Sequence, residues 1–195
     1  MKGIIIWCSF LASLLASCNS PYTLKPEGYF RIDFPEHRYR TFDQSGYPYT
    51  FEYPVYARVS RDSTLFNDED TPYWINVEFP QFNGTVYISY KRVGPNRLEK
   101  LIDDSYKMTY KHTAKATGIR DSLFRTPQGI TGIWFEVSGD AATGRQFFLT
   151  DSTTHFLRGA LYFDTAPNAD SLGIVYDFLQ DDMKHMIQTL RWSER

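Results

Sequence analysis

Residues 146–172 read Gln-Phe-Phe-Leu-Thr-Asp-Ser-Thr-Thr-His-Phe-Leu-Arg-Gly-Ala-Leu-Tyr-Phe-Asp-Thr-Ala-Pro-Asn-Ala-Asp-Ser-Leu. Two runs within it, Gln146–Thr150 and Phe156–Phe163, are rich in aromatic and branched side chains and read as strands. Asp151, Ser152, Thr153 and Thr154 between them are turn formers. Pro167 then breaks the chain, and Asn168 or Asp170 can cap a following helix. His155 and Arg158 are the polar residues of the second strand. Three positions apart on a strand, they point to opposite faces, so they cannot act jointly on one substrate unless the strand is bulged.

Working outward, Ile119–Arg125, Ile130–Val137, Arg145–Thr150 and Phe156–Phe163 form four strands with short connections, which force antiparallel neighbours. Upstream, Trp74–Phe79 and Thr85–Lys91 alternate cleanly around Asn83 and Gly84, as a hairpin does. Between hairpin and meander a helix opens at Pro95, with Asn96 as cap and Glu99 reaching back. Leu98, Leu101 and Ile102 lie on one face of it, and Gly118 is a plausible stop. Lys107, Lys111, His112 and Lys115 gather in its last turns, where the helix dipole favours cations, and read as a solvated end rather than an anion site. A closing helix from about Ser171 to Trp192 carries a buried stripe of Leu172, Val175, Leu179, Met183, Met186 or Ile187, and Leu190. Asp177, Asp181, Asp182, Lys184 and Gln188 fall mostly outside that stripe.

Nearer the start, Tyr29–Phe34 alternates and ends at Pro35. Tyr47, Tyr49, Phe51 and Tyr53 alternate again, but Pro48 and Pro54 argue for an edge strand or an extended arm. Its aromatic face either packs on the domain or docks a partner. The order gives an α+β domain, a twisted antiparallel sheet of about six strands with two main helices packed on it. That order resembles the PsbP-like fold, an analogy that assigns no function.

The stretch 146–172 closely resembles the signature of the gliding motility lipoprotein D family (GldD). The resemblance continues in Gly28–Pro35, in Pro48–Ala57 and in Tyr110–Ala116, and covers nearly all the chain after its first segment. It implies a lipoprotein of the gliding motility and type IX secretion machinery, whose partners are other envelope proteins. It supplies no catalytic residue.

The first residues agree. Lys2 precedes an apolar run through Leu15 that is too short for an ordinary transmembrane helix. Leu15, Ala16, Ser17 and Cys18 then match a bacterial lipobox. The sequence predicts a signal peptide over 1–17, lipidation at Cys18 with palmitate among the acyl chains, a tether over 18–28 and a single domain over 29–195. The expected location is the cell envelope, lipid-anchored and facing the periplasm, with inner or outer membrane left open. Cleavage before Cys18 leaves no thiol for a disulfide.

Net charge is −2, so the overall charge balance gives no reason to expect nucleic acid as a partner. The aromatic share of 17% supplies either a large core or a sticky surface. Asp151, Ser152 and His155 suggest a hydrolytic triad but crowd one turn, whereas triads assemble from distant segments, and there is no Gly-x-Ser-x-Gly elbow. His37, His112, His155 and His185 have no metal-ligand spacing. The acidic loop 61–71 lacks the spacing and glycine of a calcium site. No cofactor or metal is expected, and the chain is expected not to be an enzyme. Asp151, His155, Arg158, Asn168 and Asp170 stand as signature or partner-contact residues. The alternatives are a periplasmic small-ligand binding module, favoured by a pocket of Arg158, His155 and aromatics, and an unrecognised envelope enzyme.

Overall fold

The computed structural model describes residues 31–61, 73–94 and 97–193. The chain divides into two compact units, Met1–Ile32 and Asp33–Arg195, and every element below belongs to the second. The expected signal peptide, Cys18, the tether, Tyr29 and Phe30, the acidic residues between 62 and 70 and the capping Asn96 lie outside the described residues.

The fold is α+β. A seven-stranded antiparallel sheet has the order β3-β4-β5-β9-β8-β7-β6. Its strands are β3 (Arg58–Arg61), β4 (Ile75–Phe79), β5 (Gly84–Arg92), β6 (Ala116–Arg125), β7 (Thr131–Gly139), β8 (Arg145–Thr150) and β9 (His155–Phe163). Helix α1 (Leu98–Tyr110) connects β5 to β6, and the meander β6 to β9 runs back until β9 pairs with β5, Ser89 opposite Arg158. A second, three-stranded sheet has the order β1-β2-β10, with β1 (Tyr39–Phe42), β2 (Tyr49–Pro54) and β10 (Arg191–Trp192). Helix α2 (Ala169–Thr189) precedes β10.

Strand alternation divides the core in two. Phe148 and Phe156 pack with Leu101 of α1. On the other face Phe147, Leu149, Leu157 and Leu161 pack with Leu179 and Met183 of α2 and with Tyr49 and Phe51 of β2. The aromatic face of β2 is therefore core, with Tyr49 and Phe51 almost wholly buried. Helix α1 buries Ser105 and Thr109 beside Leu101. Both hydroxyls donate to the carbonyl four residues back, at 2.9 and 3.0 Å, so burying them strands no polar atom.

The described part of the alternating segment Tyr29–Phe34, residues 31–34, forms no strand, and Phe34 stacks on Phe178 of α2 at 4.4 Å between ring centroids. The structure corrects the sequence reading in three places. Strand β2 is central in its sheet rather than an edge. Pro48 precedes it and Pro54 ends it, so the residues between keep both hydrogen-bonding edges. The closing helix stops at Thr189, where Leu190 turns extended and Arg191 and Trp192 pair with Thr50 and Tyr49. The residue before α1 is Arg97, in a positive-φ conformation and without a side-chain cap.

Candidate functional site

The β8–β9 turn is held by Asp151. Its Oδ1 accepts the backbone N–H of Thr153, Thr154 and His155 at 3.0, 2.8 and 2.8 Å. Ser152 takes a positive φ there, and its N–H donates to the Thr150 hydroxyl at 2.9 Å. Burial raises the Asp151 carboxyl, but the three N–H donors outweigh it and hold the group below the ordinary carboxylate range. A carboxylate so engaged is poorly placed to orient a base, and its chemistry is that of a turn.

His155 opens β9 on the α2 face. Its ring stacks on Trp192 at 4.8 Å with 14° between planes, and its Nδ1 lies 2.7 Å from the Tyr90 hydroxyl. The imidazole thus joins the large sheet to β10. Burial pushes its pKa below the ordinary histidine value, with Asp151 opposing and Arg92 assisting the shift.

Arg158 lies on the opposite face, and the structure does not bring it to His155. Its guanidinium donates from Nη2 to Oε1 of Gln146, which also accepts from the Thr109 hydroxyl at 3.2 Å. Among the described residues no carboxylate lies within salt-bridge distance of Arg158. Arg158 lines a cavity of about 320 Å³ between α1 and strands β5 and β9, together with Ser89, Lys91, Lys107, Lys111 and Phe156. Asp104 also borders it.

Asn168 and Asp170 lie beyond the far end of β9, away from His155. Asn168 caps α2, its Oδ1 accepting from the Ser171 N–H at 3.1 Å. Asp170 is exposed in the first turn, where a negative charge suits the helix dipole. Asp140 adds a second carboxylate there, accepting from the Ala169 N–H at 2.9 Å.

Sequence reasoning missed Asp182 and Gln146. Asp182, on α2, is wholly buried and gathers His37, Tyr39 and Tyr56. Gln146 is wholly buried inside β8 with its Nε2 unpartnered. A glutamine opening an otherwise apolar run was the available signal for the second. A further cavity of about 330 Å³ lies between the β6–β7 hairpin and α2, bordered by Phe124, Trp134, Glu136, Lys184 and Gln188. Among the described residues no cluster of three or more metal-ligating side chains occurs, and no helix is long and apolar enough to cross a membrane.

No curated protein matches the chain. The solution structure of cyanobacterial PsbP (CyanoP) from Synechocystis is similar over 87% of this chain and 100% of its own, at 9% identity and a TM-score of 0.49. The family profile described as gliding motility lipoprotein GldD matches residues 19–192, which include both strands of the signature, its turn and the cap of α2. The chain belongs to the gliding motility lipoprotein GldD family.

Proposed function

We propose that this chain is a lipoprotein anchored through Cys18, facing the periplasm, that serves the gliding motility and type IX secretion machinery as an accessory subunit or assembly factor. It acts through protein contact and not through turnover. The observation that supports contact over catalysis is the use made of the signature residues. Asp151 is spent on three backbone N–H groups, His155 is wedged between Tyr90 and Trp192, and Asn168 caps a helix. These groups shape a surface.

Strand β6 offers a place for such contact. It is the ten-residue outer strand of the large sheet, largely exposed, and it carries Leu123 at 78% exposure. An outer strand presents backbone groups that an extended segment of a partner envelope protein can pair with.

The test uses the full chain in its native envelope. A photo-crosslinking residue at Leu123 is expected to trap one recurrent envelope protein, and the same residue at the buried Leu179 is expected to trap none. Labelling with a fatty-acid analogue is expected to mark the wild type and not Cys18→Ser. An unlabelled wild type, or crosslinks at Leu123 with no recurrent partner, counts against the reading. So does a turnover that His155→Ala abolishes with the fold intact.

A further inference from the structure

We propose that the cavity between α1, β5 and β9 is a binding site for a phosphate group, with Arg158 at its base and Lys91, Lys107 and Lys111 at its rim. The sequence offered Lys107 and Lys111 only as a dipole-matched helix end. The fold adds two cations from elsewhere in the chain. Ser89 pairs with Arg158 and Lys91 with Phe156 across β5 and β9, so Lys91 and Arg158 stand on one face of adjacent strands. The last turn of α1 lays Lys107 over the same cavity, and Lys111, the residue that follows the helix, borders it too.

The base of the cavity carries an unsettled charge. A guanidinium stays protonated in proteins, and Arg158 is half-buried, so a cation is drawn partly out of water at the base of the cavity. A buried cation is tolerated when a partner carboxylate compensates it. Among the described residues Arg158 has none, and Gln146 takes only one of its five N–H donors. Gln146 cannot turn its amide to satisfy itself, because an arginine can only donate and needs the carbonyl oxygen where it is. Its Nε2 is therefore left buried and unpartnered. Burial lowers the Arg158 pKa, and after burial the Arg158 charge is the next influence lowering the pKa of His112, just beyond α1. The positive potential at this end of the cavity is thus felt by its neighbours.

The opposing charges are few. Asp104 borders the cavity, and Asp103 lies 2.5 Å from the Lys107 ammonium on an exposed surface. Four cations against these two carboxylates leave room for a dianion. A phosphate presents three oxygens, which suits a planar fork below and ammonium groups above. The volume of about 320 Å³ admits a small phosphomonoester or the headgroup of a phospholipid, and these share the chemistry the site reads.

Calorimetric titration of the full chain in non-ionic detergent tests the proposal, with inorganic phosphate, glycerol 3-phosphate and dihexanoyl phosphatidic acid as separate probes at matched ionic strength. Saturable binding is expected, weakened about tenfold or more in Arg158→Gln and in the double variant Lys91→Gln, Lys111→Gln. Both lysines are exposed, so the double variant tests the site even if Arg158→Gln unfolds. Binding of the two soluble phosphates assigns a free phosphate ligand. Binding of phosphatidic acid alone, lost in the same variants, assigns a lipid headgroup. The proposal is overturned if none of the three probes binds saturably, or if the double variant binds as the wild type does.

Discussion

His37 Nδ1 donates to Asp182 Oδ1 at 2.7 Å, across 145 positions of sequence. The same carboxylate accepts from the hydroxyls of Tyr39, at 3.0 Å, and Tyr56. Burial first, and then the Asp182 charge and hydrogen bond, push the Tyr39 phenol well above its ordinary pKa. One buried carboxylate on α2 therefore holds the arm that leads into β1 and the turn that follows β2. Truncating it leaves two phenols and an imidazole without their acceptor. Asp182→Ala should cost about 3 kcal/mol, and Tyr56→Phe about 1 to 2 kcal/mol. Urea unfolding measures both, and a loss below that of Tyr56→Phe in Asp182→Ala would contradict this account.

Leu179 sits one turn before Met183 on the face of α2 that meets the large sheet, and neither side chain is exposed at all. Removing three carbons there leaves a cavity walled by a sheet that cannot collapse into it. Leu179→Ala should cost about 2 to 5 kcal/mol. Fast amide exchange throughout α2 in the folded wild type would show that this helix is not core.

The stripe that identifies α2 was legible because six apolar residues recur at helical spacing, and the same reasoning hid Asp182. A carboxylate beside Asp181 on a helix is ordinarily solvated, and its partners come from residues 37, 39 and 56, which no local pattern connects to it. The hairpin and meander were legible through period-two alternation and short turns. Strands β1, β3 and β10 were not, being two to four residues long, with polar residues at half the positions of β1 and most of those of β3. With β1 and β10 unseen, the prolines flanking β2 argued for an edge. At the site, strand alternation alone set His155 and Arg158 on opposite faces. The cavity over Arg158 was out of reach, because Lys91 enters it through the pairing of β5 with β9, 65 positions apart at Lys91 and Phe156.

Gly132 of β7 lies against the backbone of β8. A Cβ added there would lie 2.1 Å from the Phe148 carbonyl oxygen and 2.8 Å from the Phe124 ring. Backbone cannot step aside as a side chain does, so Gly132→Ala should cost about 3 kcal/mol or more. Gly173, inside α2, meets nothing within 4 Å. Gly173→Ala should instead add about 0.5 to 1 kcal/mol by restricting the unfolded chain. Thermal melts of the two variants moving in the same direction would refute the contrast.

Burial lowers the pKa of His155, chiefly because its ring lies between Tyr90 and Trp192, and Arg92 adds to the shift while Asp151 opposes it. A histidine with a lower pKa in the folded state binds its proton more readily when unfolded, so stability rises with pH across its titration. The contribution is complete above the unfolded value of about 6.5 and is lost as pH falls through the lower folded value. His112, lowered by burial and by Arg158, adds to the same slope. Asp151, also lowered, contributes stability that is lost only at more acidic pH. The melting temperature should therefore fall between about pH 7.5 and about pH 5.5. His155→Phe keeps a flat ring against Trp192 and removes the titrating group, so it should reduce that slope without abolishing it, His112 supplying the remainder. A His155→Phe protein whose melting temperature tracks the wild type over the whole interval would show that protonation of His155 does not open the junction between β9 and β10.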